Sequence, residues 1–168
     1  MMPSRSSRLP GPDTVPTQLV SRSLSDFHPG HVVRTRARTV TESDIVAFAG
    51  LTWDFYPLHT DDEYARTTRF GKRIAHGPLV YSMSIGLMPI DFFGDAIIAF
   101  LGVDALRHVA PVFVGDTIEV EATVQEVRPS SGGSSGVVSI DYLTRNQRGD
   151  SVLTMTALFL VRTAGGGD

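Results

Sequence analysis

The chain of 168 residues contains no cysteine. Disulfides, thiolate nucleophiles and zinc–thiolate sites are therefore excluded together. Lysine is nearly absent too, Lys72 being the single example among arginines. The net charge is −3, with no excess of basic residues to hold nucleic acid or an anionic membrane surface. No apolar run is long enough to span a bilayer. The segment 1–25 is rich in Ser, Arg and Pro and lacks a continuous apolar stretch, so it reads as a flexible leader rather than a secretory signal. The Gly-rich end, 164–168, reads as a flexible tail. What remains, 26–163, has an ordinary apolar content and the length of a single domain. A cytoplasmic protein is the expectation.

Within that domain, Arg34, Arg36 and Arg38 alternate with Val33, Thr35 and Ala37, which predicts a half-exposed strand from His31 to Val40. Thr41-Glu42-Ser43-Asp44 forms a capping box ahead of a short helix, with Gly50 as its expected stop. A second box, Thr60-Asp61-Asp62-Glu63, opens another short helix. From Gly77 to about Met88 the residues are apolar nearly all round, with Pro78 in the first turn; such a helix should be buried. Pro89 to Ala96 looks irregular. Four long strands follow, beginning near Ile97, Thr117, Val137 and Ser151, separated by turn-rich segments. A buried helix followed by antiparallel strands is an α+β order, a curved antiparallel sheet wrapped around a long buried helix. An edge strand and one helix end would stay uncovered, which a homodimer would solve.

The candidate chemistry lies at Thr52-Trp53-Asp54-Phe55-Tyr56-Pro57-Leu58-His59 and Ile74-Ala75-His76-Gly77-Pro78. An acid/base pair, Asp54 and His59, precedes a glycine at the start of the buried helix. Adding water to a polarised double bond needs a base for the water, an acid for the neighbouring carbon and a donor for the oxygen that gathers charge. Asp54 suits the first task and His59 the second. The unpaired amide of Gly77, at the positive end of a helix, suits the third. His76 is expected behind the site. Phe55 and Tyr56 could line an acyl pocket, and Lys72 and Arg73 could meet phosphates. Metal ligation has no recognised spacing here. His28, His31 and His108 are assigned surface or packing roles.

These residues resemble the MaoC-like dehydratases and (R)-specific enoyl-CoA hydratases of the hot-dog fold. The resemblance runs from about Phe27 to Val161. It is carried by Asp54-Phe55-Tyr56-Pro57-Leu58-His59-Thr60-Asp61, by Phe70-Gly71-Lys72-Arg73-Ile74-Ala75-His76-Gly77, and by Pro111-Val112-Phe113-Val114-Gly115-Asp116-Thr117. It implies Asp54 and His59 as catalytic residues and the Gly77 amide as the contact to a thioester oxygen. It also implies an acyl-CoA substrate, no separate cofactor or metal, and a homodimer or dimer of dimers. Tyr56 stands where the family often has Asn, and Ile85 where several hydratases have Ser; Ser82 and Ser84 lie nearby on other faces of the helix. The implied activity is reversible hydration of a 2-enoyl-CoA. Thioester hydrolysis, or a non-catalytic acyl-CoA-binding subunit of a heterodimer, are the alternatives.

Overall fold

The computed structural model describes residues 19–165. Residues 1–18 of the expected leader and 166–168 of the expected tail lie outside it. The described chain packs onto the domain ahead of residue 26. The Val20 carbonyl accepts from the Asp95 amide, and the Arg22 amide donates to Asp95 Oδ1 at 2.9 Å. A 3₁₀ turn, Leu24–Asp26, then buries Leu24 over Gly136. A Cβ at 136 would lie 2.4 Å from Leu24 Cδ2, so the missing side chain is what admits the leucine.

The expected first strand is two short pieces, β1 (Val32–Arg34) and β2 (Arg38–Thr39), both antiparallel to β4 (Thr117–Pro129). The break occurs because Thr35 turns inward. Its amide donates to the Val120 carbonyl at 3.0 Å, and its Oγ1 accepts from the Val120 amide at 2.9 Å. The long strands β3 (Ile97–His108), β4, β5 (Ser135–Asn146) and β6 (Ser151–Arg162) complete one antiparallel sheet in the order β1-β4-β5-β6-β3. As the alternation requires, Ile118, Val120, Ala122 and Val124 of β4 are buried.

Helix α1 (Glu42–Thr52) begins at the expected box: Thr41 Oγ1 accepts from the Asp44 amide, and Asp44 Oδ2 accepts from the Thr41 amide at 2.8 Å. It runs past Gly50 and ends at Trp53, which takes the left-handed conformation usual for a glycine. Thr60 does not cap the next helix. It closes α2 (Pro57–Thr60), and Asp61 caps α3 (Asp62–Arg66) by accepting from the Tyr64 amide. The central helix, α4 (Gly77–Gly86), is shorter than expected. Leu79, Val80 and Met83 join Ile140, Leu153 and Met155 of the sheet in one core. Ser84, fully buried, bonds to Thr144 of β5 at 2.8 Å. The helix is not enclosed by its own chain: Pro78, Ser82 and Gly86, spaced four apart, form an exposed stripe. The segment expected to be irregular holds one helical turn, α5 (Ile90–Phe93). Among the described residues no helix is long and apolar enough to cross a membrane.

Candidate active site

The site is assembled where the α1–α2 turn meets the start of α4. Left-handed Trp53 swings the chain out of α1 and sets Asp54 beside it. Asp54 Oδ1 accepts from the Tyr56 amide, an Asx turn that shapes the entry to α2. Pro57 occupies the first turn of α2 and His59 its last. The 74–76 segment is pinned from both sides: the Ile74 amide donates to Leu58, and the Ala75 amide to Val112 at 2.7 Å. His76 immediately precedes α4.

Three titratable side chains meet here. Ligand atoms of Asp54, His59 and His76 lie within 4.8 Å of one another. His59 Nδ1 is 2.8 Å from the Ile74 carbonyl. A carbonyl can only accept, so Nδ1 carries the proton, and Nε2 of the neutral ring is a free acceptor. His76 Nε2 donates in the same way to the Asp54 carbonyl at 2.9 Å. His76 is fully buried, its Nδ1 has no partner, and its ring stacks against His59 with centroids 4.0 Å apart. Burial pushes its pKa down, helped by His59 and opposed by the Asp54 carbonyl, so His76 is neutral at pH 7. Near-parallel rings so close are poorly disposed to share a cation. The cluster is better suited to moving protons, with His76 as a neutral support beneath His59.

A cavity of about 290 Å³ opens beside these groups, lined by His59, Gly77 and His108 among mostly apolar side chains including Val80, Val112 and Val152. Expected site residues thus divide. His59 and Gly77 line the cavity; Asp54 and His76 are not in its wall but lie within reach of His59. Phe55 and Tyr56 do not line it; both are exposed, and the Tyr56 hydroxyl bonds that of Tyr64 at 3.0 Å. Lys72 sits over the Phe113 ring, 4.2 Å from its centroid. Arg73 is engaged by Glu42 of α1 and Asp62 of α3, at 2.7 and 2.8 Å. Those hydrogen bonds raise its pKa and leave it as a tie between elements. Neither Ser82 nor Ser84 enters the cavity, each bonding instead to the carbonyl four residues back.

Two polar lining residues were not expected at the site: Arg69, which the sequence left unassigned, and His108, which was given a surface or packing role. Arg69, over the Phe70 ring, is the cation at the cavity. No spacing signal distinguished it from the other connector arginines. His108 lies across the space a Gly77 side chain would need: a Cβ there would be 3.0 Å from His108 Nε2. Its expected packing role is therefore a position within the cavity wall. A side chain at 77 would have to push that ring aside.

Comparison with known proteins accords with this geometry. The profile of the MaoC like domain matches residues 26–145. An (R)-specific enoyl-CoA hydratase from Rhodospirillum rubrum is 39% identical over 93 residues, which are 55% of this chain and 63% of that enzyme. The chain thus spans less than two thirds of that relative's length. The X-ray structure of a monoamine oxidase regulatory protein from Archaeoglobus superposes with a TM-score of 0.80 at 41% identity, covering 84% of this chain and 95% of that one. A Mycobacterium tuberculosis protein with a double hot-dog fold, 20% identical, superposes with a TM-score of 0.76 over 88% of this chain and 46% of its own, a likeness of fold alone. With its sheet packed on α4 and its Asp–His turn facing the start of that helix, the chain belongs to the MaoC-like dehydratase domain family and has the hot-dog fold.

Proposed function

We propose that the protein hydrates a 2-enoyl-CoA thioester reversibly to a 3-hydroxyacyl-CoA. The observation that carries this reading is the meeting of Asp54 with His59, whose Nδ1 is held by the Ile74 carbonyl, beside an apolar cavity that His59 and Gly77 line. Asp54 and His59 hold one water between them. As the water oxygen bonds to C3, one hydrogen passes to the pair, with Asp54 as principal base. The pair then delivers a proton to C2, so the water is consumed and the enzyme returns to its starting state. The Gly77 amide, at the unpaired N-terminus of α4, stabilises the thioester oxygen as the enolate forms. The apolar wall accommodates the acyl chain. The kinship to (R)-specific enoyl-CoA hydratases supports the same chemistry.

An enoyl-CoA panel, followed by loss of the conjugated-thioester absorbance, tests the assignment. Asp54→Asn preserves shape and removes the base, and should lower kcat by about 10² or more while leaving thermal unfolding unchanged. Full activity in that variant would sink the assignment. Release of free CoA thiol without loss of the enoyl chromophore would point to thioester hydrolysis.

A further inference from the structure

We propose that His108 is a further substrate-contacting residue, whose Nε2–H donates to the thioester oxygen alongside the Gly77 amide. This rests on the acyl-thioester reading above. Three features of the structure lead to it.

The first is a change of strand parity. Before the irregularity, Val103 of β3 faces Ala157 of β6, and Asp104 faces Thr156. Arg107 then pairs with Thr154, so β3 advances three residues while β6 advances two. Ala105, at φ +52°, takes the strain of this bulge. Without the extra residue, Arg107 would lie opposite the buried Leu153. With it, His108 takes that place, exposed at the rim of the cavity. The strand spends an unfavourable alanine conformation on presenting this side chain to the cavity.

The second is the fit to Gly77. Nε2, Cδ2 and Cε1 of His108 lie 3.0, 3.2 and 3.2 Å from the position of an added Cβ. The nitrogen end of the ring, rather than its Cβ end, overlies the residue whose amide begins α4. The third is chemical economy. His59, Arg69 and His108 alone among the lining side chains can hydrogen-bond. His59 is committed to proton transfer, and Arg69 stacks on Phe70. Burial alone lowers the His108 pKa, with no hydrogen bond or charge contributing. The ring is therefore neutral at pH 7 and keeps one N–H that it can offer to a ligand in the cavity. A neutral imidazole is an effective donor to a developing enolate oxygen.

The test uses His108→Phe, which keeps ring volume without a donor, and His108→Gln, which restores an N–H. Hydration should fall roughly 10²-fold in kcat for the Phe variant, with KM changed far less, and recover about tenfold in the Gln variant, the worth of one hydrogen bond. Binding is measured separately with two unreactive ligands, butanoyl-CoA and the thioether S-butyl-CoA. The native protein should prefer the thioester, and His108→Phe should lose about tenfold of that preference. Unchanged kcat and unchanged preference in His108→Phe would overturn the proposal, as would a native protein indifferent to the carbonyl. If the native protein hydrates no enoyl-CoA, yet His108→Phe still erases the thioester preference, the hydratase reading fails and the role of His108 stands.

Discussion

Trp53 holds φ at +64° while 86% exposed, so burial offers little to offset its left-handed backbone. That conformation costs a residue with a Cβ about 1–2 kcal/mol. What it secures is direction: α1 is terminated, the Phe55 amide turns back to the Trp53 carbonyl, and Asp54 is delivered next to His59. Trp53→Gly should remove the strain. Part of the gain is offset by the greater freedom of an unfolded glycine, leaving a rise of about 0.5–1 kcal/mol in stability by denaturant unfolding. A loss of stability would mean that the indole makes contacts that matter. The sequence pointed to Gly50 as the end of this helix because glycine is the usual left-handed residue. Nothing local marks a tryptophan for that role, since the turn is imposed by the packing of Asp54 and α2 beyond it. Asp54 and His59 were legible from their spacing and from Pro57. His108 was not, because its place at the cavity depends on a bulge in β3 that only the pairing with β6 defines.

At the scale of elements, the site depends on how α1 and α3 are held against the α2 turn. Arg73 does this: its guanidinium bonds Glu42 at the start of α1, Asp62 at the start of α3, and the His59 carbonyl at 3.4 Å. Its side chain is only 16% exposed, while its two acidic partners are largely open to water. Solvent screening therefore limits each pair to well under a full charge–charge energy. Arg73→Gln should cost about 1 kcal/mol of stability, read as a lower melting temperature, and leave KM for enoyl-CoA within twofold. A large rise in KM with unchanged stability would instead show that Arg73 reaches the CoA phosphates. The long strands and the Thr41–Asp44 box were readable in advance because alternation and capping are local signals. The division of β1 from β2 was not. It is decided by the two hydrogen bonds between Thr35 and Val120, residues 85 apart in the chain.

For the whole molecule, β3 is the uncovered end of the sheet. Among the described residues this strand pairs only with β6, and Ile97, Ile98, Phe100 and Leu101 are between 41% and 54% exposed along it. A long apolar edge with unpaired backbone groups invites another strand. The small-residue stripe Pro78, Ser82 and Gly86 leaves α4 open as well. A second copy of the chain, pairing β3 with β3, would cover that edge and extend the sheet. We expect sedimentation to give the mass of two chains at micromolar concentration. Leu101→Lys, which adds the charge that natural edge strands use against pairing, should shift it to one chain. Because the same strand ends in His108, its edge and the cavity wall are one mechanical unit. The monomeric variant should therefore lose kcat/KM as well, with activity returning as protein concentration restores the dimer. A native chain that sediments as a monomer at full activity would refute the edge-pairing assignment and leave β3 as an ordinary exposed strand.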